Sequence, residues 1–291
     1  MTDPVRSIVR RFPGVPTVEG AGVRLRRSFS NNEVPLFDPF LLLDRFGSSN
    51  PEDYLAGFPW HPHRGIETVT YVLNGQVAHG DTLGNSGVIG SGDVQWMNSG
   101  SGIIHQEMPQ RTEGTMSGFQ LWVNLPAKEK MSVPAYRGLT GTEIPEVTTD
   151  AGDRVKVVAG TYEKVEGPVR GIPVDPTYLD VRVPPGGTFE YSTHPGFTVF
   201  AHSVDGSGVF EGDDGRSVEP GETALFGPGG PVRVKAGETG VRFLLVSGRP
   251  LHEPVAWYGP IVMNRREELL DAMRELQSGD FVKHRRPIVE E

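Results

Sequence analysis

Two short motifs concentrate the chemistry available to this chain: His61-Pro62-His63 and, some forty residues on, His105-Gln106-Glu107. Residues two apart on a β-strand project to the same face, roughly 6 to 7 Å from one another. Two such strands facing each other surround one ion. Three imidazoles and one carboxylate suit a divalent transition metal that keeps room for water or substrate, whereas a closed structural zinc site would favour thiolates. The chain contains no cysteine, so thiolate sites, disulfides and cysteine nucleophiles are excluded.

The elements that must hold these motifs read as β-structure. Glycine (38) and proline (25) punctuate short β-branched and aromatic runs along the 291 residues, the rhythm of an all-β protein. Candidate strands include 23–29, 68–73, 118–124, 154–158, 178–183, 198–204 and 241–246. Turn signals separate them at Asn74-Gly75, Gly92-Asp93, Asp205-Gly206, Asp214-Gly215 and Pro220-Gly221. Even spacing of short strands suggests barrels or sandwiches. A helix is predicted near the end of the sequence: Asn264 caps it with Glu267 three residues on, Leu269, Leu270, Met273 and Leu276 form its apolar stripe, and Gly279 stops it.

An internal repeat organises the chain. Residues 63–75 lie over 194–206 without a gap, and a loop two residues shorter then brings Gly92-Asp93 over Gly221-Glu222. The motif positions carry over to Ser192, His194, Val234 and Ala236, so the second unit has lost the site. His194, next to Pro195 and Gly196, is read as structural.

Several function classes are excluded or disfavoured. A net charge of −9 has the wrong sign for a protein that binds nucleic acid directly, and the cluster His284-Arg285-Arg286 reads as a solvated tail beside Glu290 and Glu291. No apolar run approaches the length of a membrane span. The first residues lack a signal-peptide pattern, from which a cytoplasmic location is expected.

The segments 61–75, 92–97 (Gly92-Asp93-Val94-Gln95-Trp96-Met97), 102–109 and 120–126 closely resemble the pirin family. The resemblance continues into 253–264, so it spans nearly the whole chain. It implies a bicupin, two tandem cupin (double-stranded β-helix, jelly-roll) barrels with a C-terminal helix. The expected division is a metal-binding domain over 1–135 and a degenerate cupin with the helix over 136–291. It further implies one non-haem iron, Fe(II), held by His61, His63, His105 and Glu107, although Mn, Ni, Cu, Co or Zn can occupy such ligands. General cupins take a Glu soon after His-x-His, and Glu67 nearly fills that place. On a straight strand it would lie about 13 Å beyond His63, a distance that a bulge at Gly65 would shorten; the pirin pattern favours Glu107.

Two activities follow from the resemblance. One is a quercetin 2,3-dioxygenase-like oxidoreductase acting on a flavonol or related aromatic enol, with Glu107 as the catalytic acceptor of the substrate's hydroxyl proton. The other is a redox-sensitive regulator that binds a metabolic enzyme or a transcription factor. Either agrees with a monomer without nucleic acid or membrane partners. Around the motifs, Trp60, Trp96 and Trp122 are candidates for an aromatic pocket wall, and Glu67 and Gln95 for orienting a ligand imidazole. Arg64 is a candidate ion-pair former. His79 and His202, on strands or strand edges, are read as lacking a paired ligand two residues away and hence as structural, and His252, beside Glu253 and Pro254, is similarly weak.

Overall fold

A computed structural model describes residues 4–212 and 215–284. Arg285, Arg286, Glu290 and Glu291 of the basic tail, and Asp214 of one turn signal, lie outside the described residues. The fold is all-β with one α-helix among the described residues. No helix among the described residues is long and apolar enough to cross a membrane.

Two compact units share the chain. One is assembled from Pro16–Val34, Phe40–Gly141 and the residues from His252 onward, the other from the residues up to Val15, Pro35–Pro39 and Thr142–Leu251. The main break therefore falls a few residues after 135, but the two ends do not follow the contiguous split. Strand Ile8–Pro13 pairs with Glu222–Phe226 in the second unit, and the C-terminal helix belongs to the first. Sequence adjacency cannot reveal this, because both assignments depend on long-range pairing.

The motif-bearing unit is built on two main antiparallel sheets, with a small hairpin of Ala256–Tyr258 and Ile261–Met263 in its C-terminal segment. A seven-stranded sheet runs in the order Ala135–Leu139, Val94–Asn98, Ile66–Asn74, Met116–Asn124, Phe40–Ser48, Val23–Phe29 and Val15–Glu19. A four-stranded sheet places Phe58–His63 beside Ile103–Pro109, then Val77–Asp81 and Ser86–Ile89. Strand alternation decides which residues of the larger sheet face inward. Leu42, Asp44, Thr70, Gln120 and Trp122 line a cavity. Glu67, Val69, Leu121 and Val123 belong to the opposite face by strand parity, and Gln120 and Thr70 sit directly opposite each other in the register.

The second unit is built on an eight-stranded sheet in which the long strands Thr198–Phe210 and Pro231–Gly248 form the centre, with a small hairpin of Thr161–Tyr162 and Val165–Glu166 beside it. Its main core cluster is made of hydrophobic side chains. Val234 and Ala236, the counterparts of His105 and Glu107, are buried in it with Phe189, Phe210, Phe226 and Phe243, while Ser192 and His194 are exposed. Ring pairs at 5.4 to 5.7 Å close the space that a ligand would need.

The C-terminal return segment seals one side of the motif-bearing unit. Its helix, Arg266–Ser278, starts a residue later than the sequence suggests: Arg265 is the cap, and the Glu268 carboxylate accepts from the Arg265 and Asn264 amides at 2.9 and 3.1 Å. Gly279 ends it in a left-handed conformation (φ 85°), as expected for a helix stop. Leu269, Met273 and Leu276 pack with Ile104, Ile261, Met263 and Phe281, but Leu270 faces solvent at 54% exposure and leaves the stripe.

Ahead of the helix, Lys130 clasps the return segment to the motif strand. Its buried ammonium donates to the carbonyls of Gly65 and Val262, both at 2.9 Å, and to Asn124 Oδ1 at 2.7 Å. Gly65 allows this approach: it has φ 77°, and a Cβ there would lie 2.0 Å from the Val262 carbonyl. Burial pushes the Lys130 pKa down to about 7, yet three acceptors for three N–H donors is the arrangement that a charged ammonium requires. Lys130→Met keeps the volume and removes the donor from all three acceptors, of which the Gly65 carbonyl keeps the Leu125 amide at 3.3 Å; each lost bond costs about 1 kcal/mol or more. We expect a loss of about 3 kcal/mol in urea unfolding; a loss below about 0.5 kcal/mol would show that the clasp is not needed.

Candidate metal centre

The motif strands are neighbours in one sheet rather than partners facing each other across a barrel. His105 sits directly opposite His61 in the antiparallel register, and the pairing shifts by one residue between His105 and Glu107. The ion-sized cluster still forms, because cross-strand neighbours on one face come within about 5 Å. Ring centroids are 4.8 Å apart for His61 and His63, 4.4 Å for His61 and His105, and 5.0 Å for His63 and His105. One ligand atom from each of the three lies within 4.8 Å of the others, and among the described residues this is the one such group of three or more.

Hydrogen bonds fix which nitrogens converge. His61 Nδ1 lies 2.9 Å from the Pro59 carbonyl and His63 Nδ1 lies 3.2 Å from the Pro260 carbonyl. A carbonyl only accepts, so both Nδ1 atoms carry the proton and both Nε2 atoms present lone pairs. Those two Nε2 atoms are 3.1 Å apart. Two lone pairs at that distance repel unless a proton or a cation lies between them. Beside them, neither ring nitrogen of the buried His105 has a hydrogen-bond partner among the described residues. Unpartnered buried imidazole nitrogens are costly, and a metal ion would give one lone pair from each of the three rings a partner. The residues therefore fit the cofactor that the sequence implies.

Glu107 stands slightly apart. Its Oε1 accepts from Thr70 Oγ1 at 2.7 Å, and it is not a member of the three-histidine group. Thr70 Oγ1 also lies 2.8 Å from Gln120 Oε1. A hydroxyl has one proton to give, so a Gln120 amide turned about, with nitrogen donating to Thr70, satisfies all three groups. Glu67 is on the other face of the sheet, accepting from Trp96 Nε1 at 3.0 Å, and burial pushes its pKa up to about 7. It orients no ligand. Gln95 contacts His79 at 2.9 Å instead of any motif histidine.

Other residues arrange differently from their sequence reading. Of the three tryptophans, Trp122 lines the cavity, edge-on to His63 at 5.1 Å. Trp96 points away from it, and Trp60 is 54% exposed. The missing wall is Trp257, 5.8 Å from Trp122. Arg64 is buried and pairs with Glu275 at 2.6 Å, over the Phe281 ring. His79 is 5.7 Å from His105 and pairs with Asp81 at 3.5 Å; the signal was the His79-x-Asp81 spacing, which repeats that of the motifs. His202 bonds Thr223 at 2.8 Å inside the second unit. Nothing in the sequence marks the Pro260 carbonyl.

His61 and His63 open onto a cavity of about 700 Å³, lined largely by apolar side chains that include Val23, Leu42, Phe58, Val77, Trp122 and Trp257. That volume and lining are typical of a small-molecule site. Its polar wall holds Glu107, Thr70, Gln120, Asp44, Arg27 and Glu19.

Comparison with known proteins agrees with this fold. The Pirin family model matches residues 22–123, and that of the Pirin C-terminal cupin domain matches residues 178–282. A pirin-like protein of Caulobacter vibrioides is 46% identical over 279 residues, covering 96% of this chain and 100% of that one. Pirin of Homo sapiens is 40% identical over 264 residues, 89% of this chain and 88% of that one. The crystal structure of a quercetin 2,3-dioxygenase from Acinetobacter baumannii has a TM-score of 0.88 at 30% identity, covering 96% of this chain and 99% of that chain. Both units are thus cupin domains.

Burial, followed by the neighbouring imidazoles, holds the pKa values of His63 and His105 well below 6.5. In the unfolded chain they titrate near 6.5, so below that pH the unfolded state binds more protons and stability falls as pH falls. Chelator-treated protein should lose thermal stability between about pH 7 and 5. The His63→Gln/His105→Gln double variant should lose clearly less; an equal slope would exclude these histidines as the cause.

Proposed function

The chain belongs to the pirin family, and we propose that its first cupin domain is a mononuclear metal centre for dioxygenase chemistry on a flavonol-like aromatic enol. One observation carries the reading: the Nε2 lone pairs of His61 and His63 converge at 3.1 Å at the edge of an apolar cavity. We assign His61, His63 and His105 as ligands and Glu107 as the adjoining carboxylate. Fe(II) is the ion we assign, since imidazole-rich sites of this kind suit iron as well as its first-row neighbours. When bound, it supplies Lewis acidity toward a chelating enol oxygen and a one-electron couple for dioxygen chemistry.

The remaining work falls to the chain itself. Dioxygen is the oxidant and both of its atoms enter the product, so no separate reductant is needed. Thr70 holds one oxygen of Glu107, which leaves the other to take the proton of the substrate hydroxyl. Trp122 and Trp257, inclined at 36° to each other, give a planar ring an apolar face to lie against. Leu42, Phe58 and Val77 keep water from the rest of the cavity. The carbonyls of Pro59 and Pro260 keep the imidazoles in the tautomer that can ligate.

Oxygen uptake by iron-loaded protein with quercetin and a small flavonol panel tests the activity. We expect His105→Ala to lose the metal on elemental analysis. Glu107→Gln should keep most of it while turnover falls by about 10² or more, and Glu67→Gln, on the opposite sheet face, should keep both. Absence of oxygen uptake across the panel would reject the enzymatic reading and favour the redox-regulator alternative.

A further inference from the structure

The cavity has a second polar end that the proposed chemistry does not use. Thr70, Gln120 and Asp44 stand opposite one another on three adjacent strands, and Arg27 stands opposite Asp44 on the next. Two strand spacings, about 10 Å, therefore separate the backbone of Thr70, which holds Glu107, from that of Asp44. An aromatic ligand seated by one end at the histidines brings its other end to this wall.

The charges of the wall are committed. Arg27 Nε and Nη2 donate to the two oxygens of Asp44 at 2.8 and 2.7 Å, and Nη1 donates to Glu19 Oε1 at 2.8 Å. Burial works against the Arg27 charge, but its bonds and attraction to Asp44 and Glu19 hold its pKa above the usual guanidinium value. Two carboxylates share one cation, so the group has a surplus of one negative charge. Asp44 is buried, and Glu19 has 40% of its side chain exposed. A second anion arriving here finds the guanidinium already taken on both sides. An uncharged hydroxyl finds carboxylate lone pairs still open to a donor, since each carboxylate accepts about four hydrogen bonds.

We infer that the Glu19–Arg27–Asp44 ion-pair group is the specificity-determining wall of the cavity. It accepts an uncharged phenolic hydroxyl at the end of the ligand remote from the histidines and rejects a carboxylate or sulfate there. The inference rests on the proposed reading of the cavity as an aromatic-enol site, and it concerns binding rather than turnover.

The test uses metal-loaded, full-length protein without oxygen and three probes: 3-hydroxyflavone and its 4′-hydroxy and 4′-carboxy derivatives. Binding is followed by quenching of tryptophan fluorescence. The 4′-hydroxy compound should bind at least as tightly as the parent, and the 4′-carboxy compound at least about ten-fold more weakly. Glu19→Gln, at a half-exposed position, should bring the carboxylate within about three-fold of the parent. Asp44→Asn should reverse the preference; if it does not fold, Glu19→Gln decides. Equal binding of the two derivatives, or a gap unchanged in Glu19→Gln, overturns the inference. Discrimination without oxygen uptake supports it while removing the proposed activity, and oxygen uptake without discrimination does the reverse. Failure of all three probes to bind overturns both.

Discussion

The convergence of His61 Nε2 and His63 Nε2 is the constraint on which the rest of this domain depends. Each ring is oriented from behind by a carbonyl, Pro59 for one and Pro260 for the other, so neither can turn to relieve the contact by exchanging its nitrogens. Backbone acceptors are stiffer than side chains and cannot lend a proton. The two lone pairs are thereby committed to a shared positive centre, and the lone-pair nitrogen of His105, which has no hydrogen-bond partner among the described residues, faces the same requirement. Preorganisation of this kind moves the cost of ordering ligands from binding to folding.

Half of that orientation comes from far along the sequence. Pro260 lies on the return segment, which Lys130 ties to Gly65 and which Arg64 ties to Phe281 and Glu275. Arg64, which bonds it directly, and Gly65, which Lys130 bridges to it, directly follow His63. Any loosening of the return segment thus reaches the metal motif through two peptide units, and it also moves Trp257, which forms one wall of the cavity. The C-terminal helix has no chemical group at the site; its contribution is to bury the apolar side of this strap against Ile104 and Phe281.

The three histidines were legible in the sequence because the period of a strand is short and local: residues two apart must share a face. The loss of the site in the second domain was legible for the same reason, and Val234 and Ala236 do fill an apolar core. Trp257, Pro260 and the Arg27–Asp44 pair were not legible, since each depends on which distant strands lie side by side. Glu67 shows the boundary between the two cases. Its place soon after the His-x-His motif left it as a rival to Glu107, and only the register of strand Ile66–Asn74 against Met116–Asn124 assigns it to the opposite face. The interchange of the chain ends between the domains escaped for the same reason, because pairing of Ile8–Pro13 with Glu222–Phe226 spans most of the chain.

Charge balance in the cavity links the metal motif to the wall opposite it. Glu19, Asp44 and Glu107 bring three negative charges to the lining, and Arg27 brings one positive charge, leaving a formal surplus of two while the histidines are neutral. In an apolar enclosure that surplus is unfavourable and attracts a compensating cation. A divalent ion at the histidines brings the lining to neutrality. The cavity then has no residual charge to attract an anionic ligand, and its affinity must come from apolar contact with Trp122 and Trp257 and from hydrogen bonds at its two polar ends. A neutral, planar molecule with oxygen functions at both ends meets those conditions, whereas a charged one of the same shape would disturb the balance that the metal has just restored.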